Sequence, residues 1–136
     1  MSGADVPAGP GVVDPAPRRL VVVSGGVRQP SSSRLLADRL AQATTAELAA
    51  AGLTVDVTVV ELRDHARDLT GMVLTGVATP QLSAALDAIA GADAVIAVTP
   101  IYSASYPGMF KDAFDLLPPD ALAGVPVLIA ATAGTA

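Results

Sequence analysis

Ala94-Val95-Ile96-Ala97-Val98 runs straight into Thr99-Pro100-Ile101-Tyr102-Ser103-Ala104-Ser105-Tyr106-Pro107-Gly108-Met109-Phe110-Lys111-Asp112-Ala113-Phe114-Asp115, and the change of character between the two decides the fold. The first five residues are apolar, rich in β-branching and bounded by Asp93 and Thr99, the pattern of a strand buried on both faces. Pro100 is expected to end that strand, Pro107-Gly108 to open a helix, and Pro118-Pro119 to close it. A buried parallel strand that passes through a polar, aromatic loop into a helix puts the loop at the carboxyl end of the sheet. In open α/β sheets that is where ligands bind.

The rest of the composition narrows the class. At 136 residues the chain is one domain, large enough for a real core. An apolar fraction of 51 % with 15 % charged residues favours a buried sheet over a disordered or nucleic-acid-binding chain. Eight basic residues stand against 13 acidic ones, giving a formal charge of −5, and there is no basic run. No nucleic-acid or anionic-membrane partner is therefore expected. Aromatics at 3 % are too few for stacking platforms on single-stranded nucleic acid. With no cysteine, disulfides, thiolate metal sites and thiol nucleophiles are excluded, and the composition is compatible with a cytoplasmic location. No apolar run is long enough to span a bilayer. Residues 1–17, with Pro7, Pro10, Pro15 and Pro17 among Ala and Gly, lack the layout of a signal peptide and are expected to form a disordered tail.

Upstream, Leu20-Val21-Val22-Val23 is a second apolar strand, followed by the loop Ser24-Gly25-Gly26-Val27-Arg28-Gln29-Pro30-Ser31-Ser32-Ser33. A helix from Arg34 to Ala51 follows, stopped by Gly52. Thr54 to Val60 alternates Val55, Val57 and Val59 with Asp56 and Thr58, as an edge strand does. This is one βαβ unit, with a right-handed crossover. Glu61 to Ala78 has its apolar residues interrupted by Gly71 and Gly76, and a loop with a short helical turn is predicted there. Thr79-Pro80 starts another helix, with Leu82, Leu86 and Ile89 as its buried stripe and Gly91 as its end. After the Ala94 strand and a helix over 107–117, Val125 to Ala130 is the fourth strand. Ala131 to Ala136 is read as a small-residue loop.

Four strands alternating with three helices predict a doubly wound parallel sheet, an α/β/α three-layer domain over residues 18–136. Its polar loops follow strands 1, 3 and 4. That favours the flavodoxin-like layout, strand order 2-1-3-4-5 with FMN beside strands 1 and 3, over the dinucleotide-binding one. A fifth strand and the last helices are lacking, so a C-terminally truncated domain is expected.

Three loops are candidates for chemistry. The first has neither a Gly-x-Gly-x-x-Gly fingerprint nor a Gly-Lys-Ser/Thr phosphate loop. It offers hydroxyls at Ser24, Ser31, Ser32 and Ser33, a guanidinium at Arg28, and the unpaired donors of a helix N-terminus. Together these suit a terminal phosphate dianion. Helix capping with a solvated Arg28 is the plainer explanation, but one cap needs one hydroxyl and this loop supplies several. In the central loop, Pro100, Ile101, Tyr102 and Ser103 suit the edge of an isoalloxazine, with Tyr102 or Tyr106 over a ring face, although a surface loop with two half-buried tyrosines reads the same way. Thr132, Ala133 and Gly134 are small enough for backbone to approach a flat ring at its pyrimidine side. Lys111 and Asp115 make a helix-surface pair or a subunit contact. His65, the single histidine, is read as a solvated loop residue. No Ser-His-Asp set, carboxylate pair or metal cluster assembles around it, so chemistry falls to a cofactor.

Taken together, three blocks resemble the NADPH-dependent FMN reductase family of flavodoxin-like proteins, especially actinobacterial members paired with luciferase-like monooxygenases. They are Ser24 to Ser33 with Arg28, the Thr99-Pro-Ile-Tyr segment through Lys111 and Asp115, and Ala131-Thr-Ala-Gly-Thr135. Gly26 stands where the family commonly has serine, which removes one phosphate contact. The resemblance implies hydride transfer from NADPH or NADH to FMN, with the phosphate on Ser24, Arg28, Ser31, Ser32 and Ser33 and the ring along residues 100–103 and 132–134. It also implies a homodimer or homotetramer with its contact near Tyr106 to Asp115, and a flavin-dependent monooxygenase as recipient of reduced flavin. Alternatives are an FMN-containing quinone or azo reductase, a flavodoxin-type electron carrier, and a non-catalytic binding domain. The few aromatics near the site speak against the carrier.

Overall fold

The computed structural model describes residues 16–134; of the expected N-terminal tail, residues 1–15 lie outside that range, as do Thr135 and Ala136. The elements are β1 (Arg18–Ser24), α1 (Ser32–Ala50), β2 (Val55–Glu61), a 3₁₀ turn (Leu62–His65), α2 (Ala66–Thr75), α3 (Pro80–Ala90), β3 (Ala94–Ile101), α4 (Gly108–Asp115) and β4 (Val127–Ala133). All pairings are parallel and the sheet order is β2-β1-β3-β4. This is the flavodoxin-like α/β architecture.

The period-2 alternation of the central strands sends their side chains to two cores. Val21, Val23, Val95 and Ala97 face Leu69, Leu82, Leu86, Ile89 and Ala113 of α2, α3 and α4. Leu20, Val22, Ile96 and Val98 face Ala37 and Ala41 of α1. Val22, Val23 and Val98 have no exposed surface, so truncating any of them to Ala leaves a void that surrounding side chains fill only in part. Local chemistry starts and stops the helices. Ser31 caps α1, its hydroxyl accepting from Arg34 N; Thr79 caps α3 in the same way, with Pro80 at the first helical position; and Gly76 ends α2 at φ 74°.

Three expectations are corrected. The 61–78 segment is not a loop with one turn but a 3₁₀ turn followed by the ten-residue helix α2, which makes four α-helices rather than three. Leu69 is buried, but Val73 (52 % exposed) and Leu74 (78 %) face solvent, and this hides the helical period from the sequence. Secondly, β3 continues through Pro100 to Ile101. The pairing of β1 with β3 stops at Ser24↔Val98, so Pro100 has β4 alone as its neighbour, paired with Thr132, and its missing N–H leaves the β1 ladder intact. Thirdly, β4 begins after Pro126, whose carbonyl accepts from Val95 N at 3.0 Å, and runs to Ala133. Thr132 and Ala133 are therefore strand residues. β2 lies at one edge as read from its alternation. No single described helix is long and apolar enough to cross a membrane.

Candidate functional site

Register brings three chain ends together. Ser24, the last residue of β1, sits opposite Val98, and Pro100 sits opposite Thr132, so the segments that follow β1, β3 and β4 leave the sheet side by side at its carboxyl edge. Between them lies a cleft of about 250 Å³ lined by Gly26, Val27, Arg28, Pro30, Ser31, Ser32, Ser33, Pro100, Ile101, Tyr102, Thr132, Ala133 and Gly134. Of the site residues named from the sequence, Ser24, Ser103 and the alternative ring-face residue Tyr106 are outside that lining, and the rest are in it. Ser24 is 2 % exposed within the strand, and Ser103 stands on the tip of the next turn.

At one end of the cleft the chain leaves β1 with Gly25 N donating to Val98 O at 2.8 Å. A Cβ at Gly25 would lie 3.0 Å from the Phe110 ring and 3.3 Å from that carbonyl, so glycine allows the loop to hug β3. A Cβ at Gly26 would stand 2.0 Å from Ser31 Oγ, within the space that hydroxyl fills. Ser31 Oγ accepts from Arg34 N at 3.1 Å and keeps its own proton to donate. Ser32 and Ser33 N–H, at the first turn of α1, have no intrahelical acceptor and add the positive end of the helix dipole. Ser33 is 2 % exposed and its hydroxyl shares a 2.8 Å bond with Thr132 Oγ1, which ties the start of α1 to the end of β4. Val27 and Pro30 join the lining without a signal of their own in the sequence, and Gly26, noted there only as a departure from the family's serine, turns out to be where backbone and the Ser31 hydroxyl meet. The Gly25-Gly26 pair was the available signal, since two glycines before a helix mark a close backbone approach.

The other end is built differently. Tyr102 and Ser105 exchange backbone hydrogen bonds of 2.7 and 3.0 Å across a tight turn in which Ser103 (φ 49°) and Ala104 (φ 62°) are both left-handed. Tyr102, 39 % exposed, borders the cleft. Tyr106 does not line it; its ring packs on Phe110 (centroids 6.2 Å apart), which packs on Phe114 (5.0 Å). Lys111 Nζ donates to Asp115 Oδ2 at 2.5 Å on the exposed face of α4, the surface pair of the sequence reading. His65 is not a solvated loop residue: it is half-buried at the start of α2, with Nδ1 buried and unpaired.

The lining contains no carboxylate and no histidine, and no metal-binding cluster occurs among the described residues. It offers donors at one end and flat or small surfaces at the other, a set of groups that binds and orients rather than one that transfers protons. The Arg34 guanidinium lies outside the lining, bonded to Asp38 at 2.8 Å and Glu61 at 2.6 Å; those bonds, Asp38 first, hold its pKa above the ordinary arginine value, so it is charged at every accessible pH.

Fold and cleft together define a flavodoxin-like protein with a cleft at the mouth of its sheet that is lined by hydroxyls, helix N-terminal N–H groups and a guanidinium at one end. The sequence profile of the NADPH-dependent FMN reductase family matches residues 18–136, and the chain belongs to that family. It is 42 % identical over 120 residues to an FMN reductase (NADPH) of Pseudomonas aeruginosa, covering 88 % of this chain and 62 % of that protein. It is 38 % identical to the NADH-dependent FMN reductase SfnF of Pseudomonas putida, covering 86 % and 61 %. Among solved structures, an oxidoreductase from Corynebacterium diphtheriae superposes with a TM-score of 0.84 at 41 % identity, covering 88 % of this chain and 65 % of the other. An apo NADH:FMN oxidoreductase, EMOB, does so at 0.75 and 31 %, covering 87 % and 59 %. The chain thus spans about three fifths of the length of these named relatives.

Proposed function

We propose that this chain carries the flavin site of an NAD(P)H-dependent FMN reductase that passes hydride from reduced nicotinamide to FMN and releases reduced flavin to a monooxygenase. The observation that carries this reading is the meeting of three strand ends at one cleft, with anion donors at one end and small or flat residues at the other. The residues present fit FMN. The Gly26 space filled by the Ser31 hydroxyl, the free N–H groups of Ser32 and Ser33, and the Arg28 guanidinium would hold the phosphate. Pro100, Ile101 and Tyr102 on one side, and Thr132, Ala133 and Gly134 on the other, would border the ring. Bound FMN supplies the hydride acceptor at its ring nitrogen N5. The protein's residues position the phosphate and limit how far the ring can shift.

Two features support a flavin that comes and goes rather than a clamped prosthetic group. The cleft, at about 250 Å³, falls below the ~300–1,000 Å³ of sites that enclose a small molecule. Tyr106, the second aromatic in reach by sequence, belongs to the Phe110 row, so among the described residues Tyr102 alone brings an aromatic ring to the cleft lining. Self-association through Tyr106 to Asp115 is part of the same reading; Tyr106 is 47 % exposed beside an apolar groove formed with Phe110, Val127 and Ile129.

Binding of FMN and of riboflavin, followed by flavin fluorescence, together with NADPH and NADH oxidation with added FMN or quinone, tests the proposal. FMN should bind more tightly than riboflavin, Arg28→Ala should erase about tenfold of that preference, and nicotinamide oxidation should scale with added FMN. Equal affinity for the two flavins would reject the phosphate assignment. Quinone reduction that ignores added FMN would replace the reductase reading by that of a quinone reductase.

A further inference from the structure

The Gly26–Pro30 turn makes no backbone-to-backbone hydrogen bond among the described residues, yet it forms the wall of the cleft where the phosphate would sit. It is tethered from outside. Arg63, in the 3₁₀ turn after β2, donates from Nη1 to the Arg28 carbonyl at 2.9 Å. With the Gln29 amide oxygen turned toward Arg63, the orientation that pairs acceptor with donors, both guanidinium nitrogens also donate to Gln29. Arg63 is itself fixed, since its Nη2 lies 2.6 Å from Glu61 Oε2. The other oxygen of Glu61 takes Arg34 Nη1 at 2.6 Å, and Arg34 belongs to the first turn of α1. The Glu61 side chain is 9 % exposed, that of Arg63 19 % and that of Arg34 37 %, so the carboxylate at the centre is largely desolvated and takes a cation on each oxygen, while the guanidinium groups keep an outer edge in solvent. One carboxylate at the end of β2 thereby holds both the turn before α1 and the start of α1. Neither Glu61 nor Arg63 lines the cleft.

We infer that Arg63, oriented by Glu61, is a positioning residue that sets the Arg28–Pro30 turn in its anion-accepting shape, and so selects phosphorylated over unphosphorylated flavin without touching either. This rests on the FMN reading above. The chemical reason is the fork of arginine: three acceptors, the Glu61 carboxylate, the Arg28 carbonyl and the Gln29 amide, are bridged by one planar guanidinium, which a lysine ammonium cannot span. An unsupported turn would have to be ordered by the ligand at each binding event. A tethered turn is ordered beforehand.

The test uses the whole 136-residue chain, with FMN and riboflavin affinities by fluorescence quenching and thermal melting alongside. Arg63→Gln should weaken FMN about tenfold while leaving riboflavin within about twofold, because only the phosphate reads the turn. Arg63→Lys should fail to restore FMN binding. Gln29→Leu, which removes one exposed acceptor and leaves the buried ion pairs alone, should weaken FMN by about threefold, and decides the matter if Arg63→Gln does not fold. Unchanged FMN affinity in a folded variant, or parallel loss of both flavins, overturns the inference. If the unsubstituted chain does not prefer FMN over riboflavin, the functional reading falls and this inference with it. If the preference exists and survives Arg63→Gln, the inference alone falls.

Discussion

The two ends of the cleft are made in opposite ways. Among the described residues, the turn before α1 has no backbone ladder of its own, but it is held by a helix cap, a partly buried hydroxyl pair and a network of ion pairs. The turn after β3 has two backbone bonds of its own across Tyr102 and Ser105, places two residues with side chains in left-handed conformation, and leaves Tyr102 and Tyr106 exposed. Order bought from outside at one end, and local strain at the other, suggest a division of labour. On the proposed reading, recognition would reside where charge and donors are fixed in advance, and the open ring end would let the flavin depart.

The most severe way to break this contrast is to fill the Gly26 space. Gly26→Val puts a branched side chain where Ser31 Oγ now sits, 2.0 Å from the Cβ position. Ser31 must rotate away, costing the α1 cap about 1 kcal/mol and removing the phosphate contact as well. FMN affinity is expected to fall by well over tenfold while riboflavin binding changes little, as read by fluorescence titration. If FMN binding survives, the anchoring role of this turn is wrong.

A smaller effect is expected on the hydroxyl bridge. Thr132→Val keeps shape but removes the acceptor and donor facing Ser33, which is buried, so a lone buried hydroxyl remains. The cost should be about 1–2 kcal/mol in denaturant unfolding. Because the bond joins α1 to β4, amide exchange should rise at both the start of α1 and the end of β4. A stability loss confined to β4 would show that the bridge does not couple the two.

How far sequence reached follows the same division. The parallel sheet was legible because the central strands are continuous Val, Ile and Leu runs, and the helix starts because Thr79-Pro80 and the serines are strong caps. What hid α2 was Gly71 in its middle and Gly76 at its end, together with Val73 and Leu74, apolar residues that face solvent and spoil the period. The end of β4 was hidden by Ala131, Thr132 and Ala133, too small to signal a strand, and β3 outran Pro100 because its β1 neighbour had already ended. At the site, the serines and Arg28 were visible as residue types. That Ser24 lies buried in a strand, and that Ser103 and Ala104 adopt positive φ without a glycine or asparagine to announce it, was not. Glu61 and Arg63 carry no motif at all. Only the adjacency of β2 to β1 brings them behind the Arg28 turn.

The open end should respond in the opposite sense. Ala104, at φ 62°, pays a steric penalty that glycine does not. Ala104→Gly should stabilise the chain by about 0.5–1 kcal/mol, after allowing for the freer unfolded chain, and raise the melting temperature by about 2–4 °C. FMN affinity should stay within about twofold, because phosphate contacts dominate. A loss of stability would mean the turn is not strained.

The weakest expected effect lies furthest from the cradle. Lys111 and Asp115 are both more than half exposed, so solvent and salt screen their attraction. The hydrogen bond to Asp115 raises the Lys111 pKa above its ordinary value, with the charge of Asp115 adding to it. A lysine with a raised folded-state pKa contributes stability below its unfolded pKa and loses that contribution as pH rises through the folded one. Its influence is therefore constant across neutral pH and fades only in strong alkali. Lys111→Ala should leave both the melting temperature at pH 7 and FMN binding unchanged, and should flatten any difference between melts at neutral pH and above the lysine range. A large destabilisation at pH 7 would instead mark this pair as a subunit contact, and a loss accompanied by a smaller assembly in sedimentation would assign it to self-association through the Tyr106 to Asp115 segment.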